Sequence, residues 1–154
     1  MNRVTIELAA PGDPRVVELI ALQKAHAERH TPPDSGHALD VEAAASDDVR
    51  FWIAIENGAA VGCIALACRS ADEGEIKTMH VREEHRNHGV ASELVEHVID
   101  EARASGFRRL VLETGRSEGF AASRRLYARF GFELCDRFGP YVRDPFSFCM
   151  ARQI

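Results

Sequence analysis

Arg86-Asn87-His88-Gly89-Val90-Ala91 is the stretch on which the fold turns. It follows an extended run, Glu75–Val81, and opens the most regular helical pattern in the chain. In that pattern Val90, Leu94, Val95, Val98, Ile99 and Ala102 share one face, while Glu93, Glu96, Asp100 and Arg103 share the other. Ser105-Gly106 supplies the stop. A strand that enters a helix through a basic loop with glycine is a candidate anion site. The first turn of a helix leaves N–H groups without intrahelical partners, and the helix dipole adds partial positive charge there. Gly89 removes the Cβ that would hold a phosphate off the backbone, and Ala91 keeps the next turn slim. Arg86, helped by Arg82, brings charge. The same residues also read as an ordinary helix start with a solvated basic loop.

Working outward, Arg109–Glu113 reads as a strand and Phe120–Phe130 as a helix closed by Gly131. Phe132–Cys135 is a further strand, and Pro145 interrupts the tail before a last apolar run, Phe146–Met150. On the other side, Phe51–Glu56 and Ala59–Cys68 flank Asn57-Gly58, a hairpin signal because both turn residues tolerate positive φ. Near the N-terminus, Val4–Leu8 alternates as a strand. Asp13 and Pro14 then read as the cap and first residue of a helix, whose apolar pattern is lost by His26. Thr31–Gly36 breaks the chain, and a short helix is expected over Asp40–Ala45. The order β-α-α-β-β-β-α-β-α-β-β predicts a mixed α/β domain with a strand–helix–strand unit inside a mainly antiparallel sheet.

The chain has 154 residues, 45% hydrophobic and 28% charged, which argues for one folded domain over 1–154 and against disorder. A net charge of -5 disfavours nucleic acid as a general partner. Cys63, Cys68, Cys135 and Cys149 form no C-x-x-C pair. The longest apolar stretch, Ala59–Cys68, is too short to span a bilayer, and the first residues lack a signal-peptide core. A reduced, cytoplasmic protein away from membranes is the expectation. A nucleotide loop ending at Lys77-Thr78 would need glycine at 71 and 76, where Ala71 and Ile76 stand. No two glycines are separated by one residue, so the dinucleotide fingerprint fails as well. His80, His85 and His88 do not form a metal-binding H-E-x-x-H, and no metal is expected.

Arg86-x-x-Gly89-x-Ala91 resembles the R/Q-x-x-G-x-G/A motif of the GNAT superfamily of N-acetyltransferases. Met79-His80-Val81 before it is similar to that family's L-x-V strand end, and Leu126-Tyr127-Ala128-Arg129-Phe130-Gly131-Phe132 to its L-Y-x-x-x-G-F signature. His37-Ala38-Leu39-Asp40, Leu112-Glu113-Thr114-Gly115 and Asp144-Pro145-x-Ser147 resemble a bacterial subgroup of small acetyltransferases of the YsnE type. The resemblance covers nearly the whole chain. It implies about seven strands, two of them parallel, central and splayed, flanked by about four helices. It also implies acetyl-CoA as co-substrate. The pantetheine arm would bond the backbone of Met79, His80 and Val81 like an added strand. The pyrophosphate would lie on amides of Arg86, Asn87, His88, Gly89, Val90 and Ala91. An asparagine that many relatives carry near the start of the following helix is replaced here by Phe120 or Ala121.

The implied reaction is direct acyl transfer to an amine of a small molecule or peptide. Tyr127 holds the family's general-acid position, with core packing beside Phe120 and Phe130 as the other reading. Glu75 and Glu113 are both candidates for the base, beside a water relay or no dedicated base. Each also reads as a solvated carboxylate at a strand end. His37 and Tyr141 are candidate acceptor contacts, with loop-stabilising roles as the alternative. Arg124 and Arg125 face either the carrier's phosphates or water. A non-catalytic acyl-CoA-binding sensor or interaction module is the rival reading, and it would not depend on Tyr127. Relatives often dimerise through sheet edges, so a homodimer stays open.

Overall fold

The computed structural model describes residues 4–30, 48–142 and 145–154. Strands β1 (Thr5–Ala9), β2 (Val49–Glu56), β3 (Ala59–Cys68), β4 (Glu73–Val81), β5 (Arg109–Gly115), β6 (Glu133–Cys135) and β7 (Ser147–Gln153) form one sheet. Its order is β1-β2-β3-β4-β5-β7-β6. Helix α1 (Pro14–His30) follows β1, α2 (Val90–Ala104) links β4 to β5, and α3 (Ala121–Arg129) precedes β6. The expected short helix at Asp40–Ala45 lies outside the described residues, which hold three α-helices against the four anticipated.

The hairpin between β2 and β3 forms where Asn57-Gly58 predicts it, with φ of 52° and 80° at the two turn residues. Asp13 begins α1 as a cap: its Oδ1 accepts the Arg15 N–H at 2.9 Å, and its carbonyl accepts the Val17 N–H. The helix then runs to His30, four residues beyond the loss of apolar pattern. Its last turns carry imidazoles in place of aliphatic side chains. His26 and His30 pack on Phe120, with ring centroids 5.7 and 6.1 Å apart. Leu8 departs from the alternation expected of β1 and is 66% exposed, whereas the next residue, Ala9, is buried.

Two cores sandwich the sheet. On one face Leu94, Val95, Val98 and Ile99 of α2, with Leu126 and Tyr127 of α3, pack on Val61, Ile64, Leu66, Ile76, Leu110 and Leu112. On the other face Val16, Leu19 and Ile20 of α1 cover Phe51, Ile53, Cys63 and Ala65. Each fully buried aliphatic side chain contributes roughly 1.5–3 kcal/mol to holding its helix on the sheet.

What matters for function is the centre. The β4/β5 pair is parallel and all the others are antiparallel. Pairing runs from Glu73↔Arg109 to Ile76↔Leu112 and stops there. Beyond Ile76 the two strands part, so Lys77–Val81 and Glu113–Gly115 flank an opening. Strand β4 is also irregular. Ala65 pairs with Lys77 and Cys63 with His80, so Thr78 and Met79 together oppose Ile64 alone. This is a β-bulge, and Thr78 sits in it at φ 51°. The extra residue shifts the strand's phase. Lys77 and His80 both pair with residues of the core under α1, while Met79 packs on the opposite core.

Candidate active site

The opening between β4 and β5 widens into a cavity of about 560 Å³. Its walls are the second half of β4, the end of β5, the last turns of α1, the start of α2 and one face of α3. The cavity brings together Glu75, Met79, His80, Val81, Arg86, Asn87, Gly89, Val90, Ala91, Glu113, Tyr127 and Tyr141. Of the loop residues singled out in the sequence, only His88 is absent from the wall, and it is exposed. His37 lies outside the described residues.

At one end stands the N-terminus of α2. Gly89 is its N-cap at φ 83°, and among the described residues no side chain caps the helix. The first intrahelical bond is Glu93 N–H to the Gly89 carbonyl, at 3.1 Å. The amides of the preceding turn are therefore not used by the helix. A Cβ built on Gly89 would meet no protein atom within 4 Å. The left-handed backbone, not crowding by the chain, is what asks for glycine here. Arg86 is tied to the end of β4 by a 3.2 Å bond from Nε to the Val81 carbonyl, which keeps its charge beside this helix start.

Arg82 does not serve this end, contrary to the sequence expectation. Its Nε donates to the Ala60 carbonyl at 2.8 Å and its Nη2 pairs with Glu18 at 3.1 Å, which turns it toward α1. Arg124 is likewise engaged by the fold. Its Nη1 donates to the carbonyls of Gly115 and Ser117, and the guanidinium stacks on Phe148. Neither Arg124 nor Arg125 lines the cavity.

The other end is polar and charged. Glu75, 5% exposed, accepts the Tyr141 hydroxyl at 2.8 Å and lies 3.5 Å from Arg69 and 3.7 Å from Lys77. Burial and the Glu75 charge push the Tyr141 phenol upward, so it is a persistent donor. Glu113 accepts the Ser147 hydroxyl at 2.7 Å. Among the described residues on the wall, these are the two carboxylates.

Tyr127 also lines the cavity. It is 5% exposed and packs edge-on against Phe132, with centroids 5.6 Å apart. It belongs both to the core and to the cavity wall. Among the described residues its hydroxyl makes no hydrogen bond, and the residue lines the cavity. Burial raises its phenol well above the usual range and keeps it protonated.

Several wall residues were not anticipated from sequence. Gln23 and His26 come from α1, where their i, i+3 spacing on an inward face was the available signal. Burial, and the charge of Arg86 next, hold His80 down to about 4. Burial likewise lowers His26, whose Nε2 lies 3.1 Å from the Gly119 carbonyl. Both imidazoles are neutral at pH 7 and stand 6.2 Å apart. Thr78 and Lys77 complete this side. Among the described residues no group of three or more His, Cys, Asp or Glu is placed to hold a metal, and no helix is long and apolar enough to cross a membrane.

Comparison with known proteins agrees with this architecture. The model of the acetyltransferase (GNAT) family matches residues 16–132. The uncharacterized N-acetyltransferase YsnE of Bacillus subtilis (strain 168) is 37% identical over 140 residues, 89% of this chain and 93% of that protein. The IAA acetyltransferase of Azospirillum brasilense is 37% identical over 155 residues, the full length of both. A GNAT family acetyltransferase from Elizabethkingia anophelis, crystallised with acetyl-CoA bound, superposes with a TM-score of 0.75 at 21% identity, covering 98% of each chain. With a family match over most of its length and N-acetyltransferase relatives along nearly all of it, the chain belongs to the GNAT acetyltransferase family and is an acyltransferase.

Proposed function

We propose that this protein transfers an acetyl group from acetyl-CoA to an amine of a small molecule or peptide, by direct attack with both substrates bound. The observation that supports this most is the continuity of one cavity from an uncapped helix start, through parted parallel strands, to a pair of carboxylates. The residues fit the carrier. The unused amides of the first turn of α2 and the Arg86 guanidinium suit a pyrophosphate, whereas the Arg86 N–H is already taken by the Glu83 carbonyl at 3.3 Å. The β4 edge beyond Ile76 is released from β5 and suits an extended arm that bonds backbone groups of Met79, His80 and Val81.

Acetyl-CoA supplies the activated acyl group. The chain's residues then do three things. The N–H groups of the Met79–Val81 segment polarise the acyl carbonyl. Glu75 or Glu113 takes the proton that the amine must lose, directly or through a water. The Tyr127 hydroxyl donates toward the leaving sulfur. Tyr141, through its bond to Glu75, forms part of the acceptor end. Much of the acceleration comes from holding amine and acyl carbon together. A cytoplasmic setting suits a reaction that draws on acetyl-CoA.

The test is a calorimetric titration with acetyl-CoA, followed by thiol release measured over a panel of primary amines, amino-acid amides and IAA. Saturable binding with thiol release dependent on one acceptor class supports the reading. No binding of acetyl-CoA overturns it. Binding with no transfer to any acceptor favours a non-catalytic acyl-CoA module.

A further inference from the structure

Thr78 is out of place by every local rule. It is β-branched yet sits at φ 51°, a region that such residues rarely adopt. It is 9% exposed, and its hydroxyl is sealed from solvent with no hydrogen-bond partner among the described residues. A buried polar group left unpaired is costly and calls for an explanation. The Thr78 carbonyl accepts the Cys63 thiol at 3.3 Å, which helps fix the bulge. Among the described residues nothing hydrogen-bonds the side-chain oxygen.

Position supplies the explanation. Thr78 lies two residues past Ile76↔Leu112, the last parallel pair, at the point where β4 and β5 part. Its neighbours are assigned to faces. Lys77 and His80 go with the core under α1, and Met79 packs on the core under α2. Thr78 is the extra residue of the bulge and lines the cavity opposite no strand partner of its own. Of the other sealed, unpartnered atoms, those of His97 and Ser117 lie away from the cavity, and that of Gln23 belongs to the α1 wall.

We propose that the Thr78 hydroxyl is a donor reserved for the carbonyl oxygen of the acyl group, so that Thr78 distinguishes acetyl-CoA from free CoA. This rests on the acetyl-CoA reading above. Threonine populates two χ1 states readily, and one rotation exchanges methyl and hydroxyl at the cavity wall. Free CoA carries a thiol in place of the thioester and has no carbonyl at that point to accept the bond. The side chain forms no covalent bond. It adds a second donor beside the strand's own N–H groups, and the bond strengthens as negative charge gathers on the oxygen.

The test compares calorimetric affinities for acetyl-CoA and for CoA. In Thr78→Val and Thr78→Ala the acetyl-CoA Kd should weaken about 5- to 10-fold while the CoA Kd stays within about twofold. Thr78→Ser should restore the preference. Because the hydroxyl is unpaired in the free protein, ligand-free Thr78→Val should also melt roughly 2–4 °C higher than wild type. A merely structural hydroxyl would give the opposite sign. An unchanged ratio of the two affinities, equal weakening of both, or a lower Tm in both hydroxyl-free variants overturns the assignment. Wild type that binds both ligands with a ratio unaltered by substitution overturns Thr78 alone, whereas wild type that binds neither overturns the cofactor reading and this inference with it.

Discussion

Replacing Gly89 by glutamate and by glutamine separates charge from shape at the α2 N-terminus. Neither substitution clashes at its Cβ, which meets no atom of the described residues within 4 Å. Both must accept the left-handed backbone at φ 83°, a cost of about 1–2 kcal/mol. The carboxylate recovers about 0.3–1 kcal/mol from the helix dipole, so the two variants should melt within a few degrees of each other. Binding should divide them. A carboxylate about 5 Å from a phosphate charge is repelled by about 3 kcal/mol at an effective dielectric of about 20. Screening by salt on this exposed loop removes up to about half of that figure, leaving roughly 1.5–3 kcal/mol. Gly89→Glu should therefore bind acetyl-CoA about 10- to 100-fold more weakly than Gly89→Gln. Calorimetry at about 50 mM and about 500 mM salt reads the effect, and the gap should narrow at the higher salt. Equal affinities for the two variants at low salt would show that the phosphates do not rest at this helix start, whatever the melting curves say.

Tyr127→Phe should cut turnover by about 100-fold or more while the acetyl-CoA Kd stays within about twofold, because the ring packing survives and only the donor is lost. Unchanged turnover removes its role as acid. His80 is held neutral in the fold, down to about 4 against 6.5 when free. The unfolded chain therefore binds the extra proton between those values. The shift costs nothing above about pH 6.5, where both states are neutral, and destabilises the fold progressively as pH falls toward about 4, a change on the order of 2–3 kcal/mol. Urea midpoints of wild type should thus fall more steeply across that window than those of His80→Gln, and parallel curves would refute the burial argument. Cys68 is exposed, whereas burial pushes the Cys63 thiol up to about 12. Iodoacetamide at pH 8 should label Cys68 in the folded protein and Cys63 only after denaturation, as read by peptide mass. Early labelling of Cys63 would mean that the core under α1 opens readily.

The features legible in the sequence are those whose physics is local. Asn57-Gly58 announces its own φ angles, and the α2 face repeats at helical spacing whatever it packs on. The loop from Arg86 to Ala91 is similar in kind, because a helix start leaves amides unused by its own geometry. What escaped reading depends on partners distant in sequence. The last turns of α1 look patternless because their inward face is built of Gln23, His26 and His30, which meet a cavity and Phe120 in place of aliphatic neighbours. Arg82 and Arg124 carry the same charge as Arg86, and only Glu18 and the backbone carbonyls they reach show that the fold has claimed them. The bulge is the sharpest case. Lys77-Thr78-Met79 contains no glycine to mark it, and strict alternation would place Met79 on the face shared by Glu75 and Lys77. Pairing with β3 inserts one residue, moves Met79 to the opposite core and brings His80 round to face His26. The polar wall around Glu75 and His80 and the apolar backing of the opening thus both follow from a single extra residue in β4.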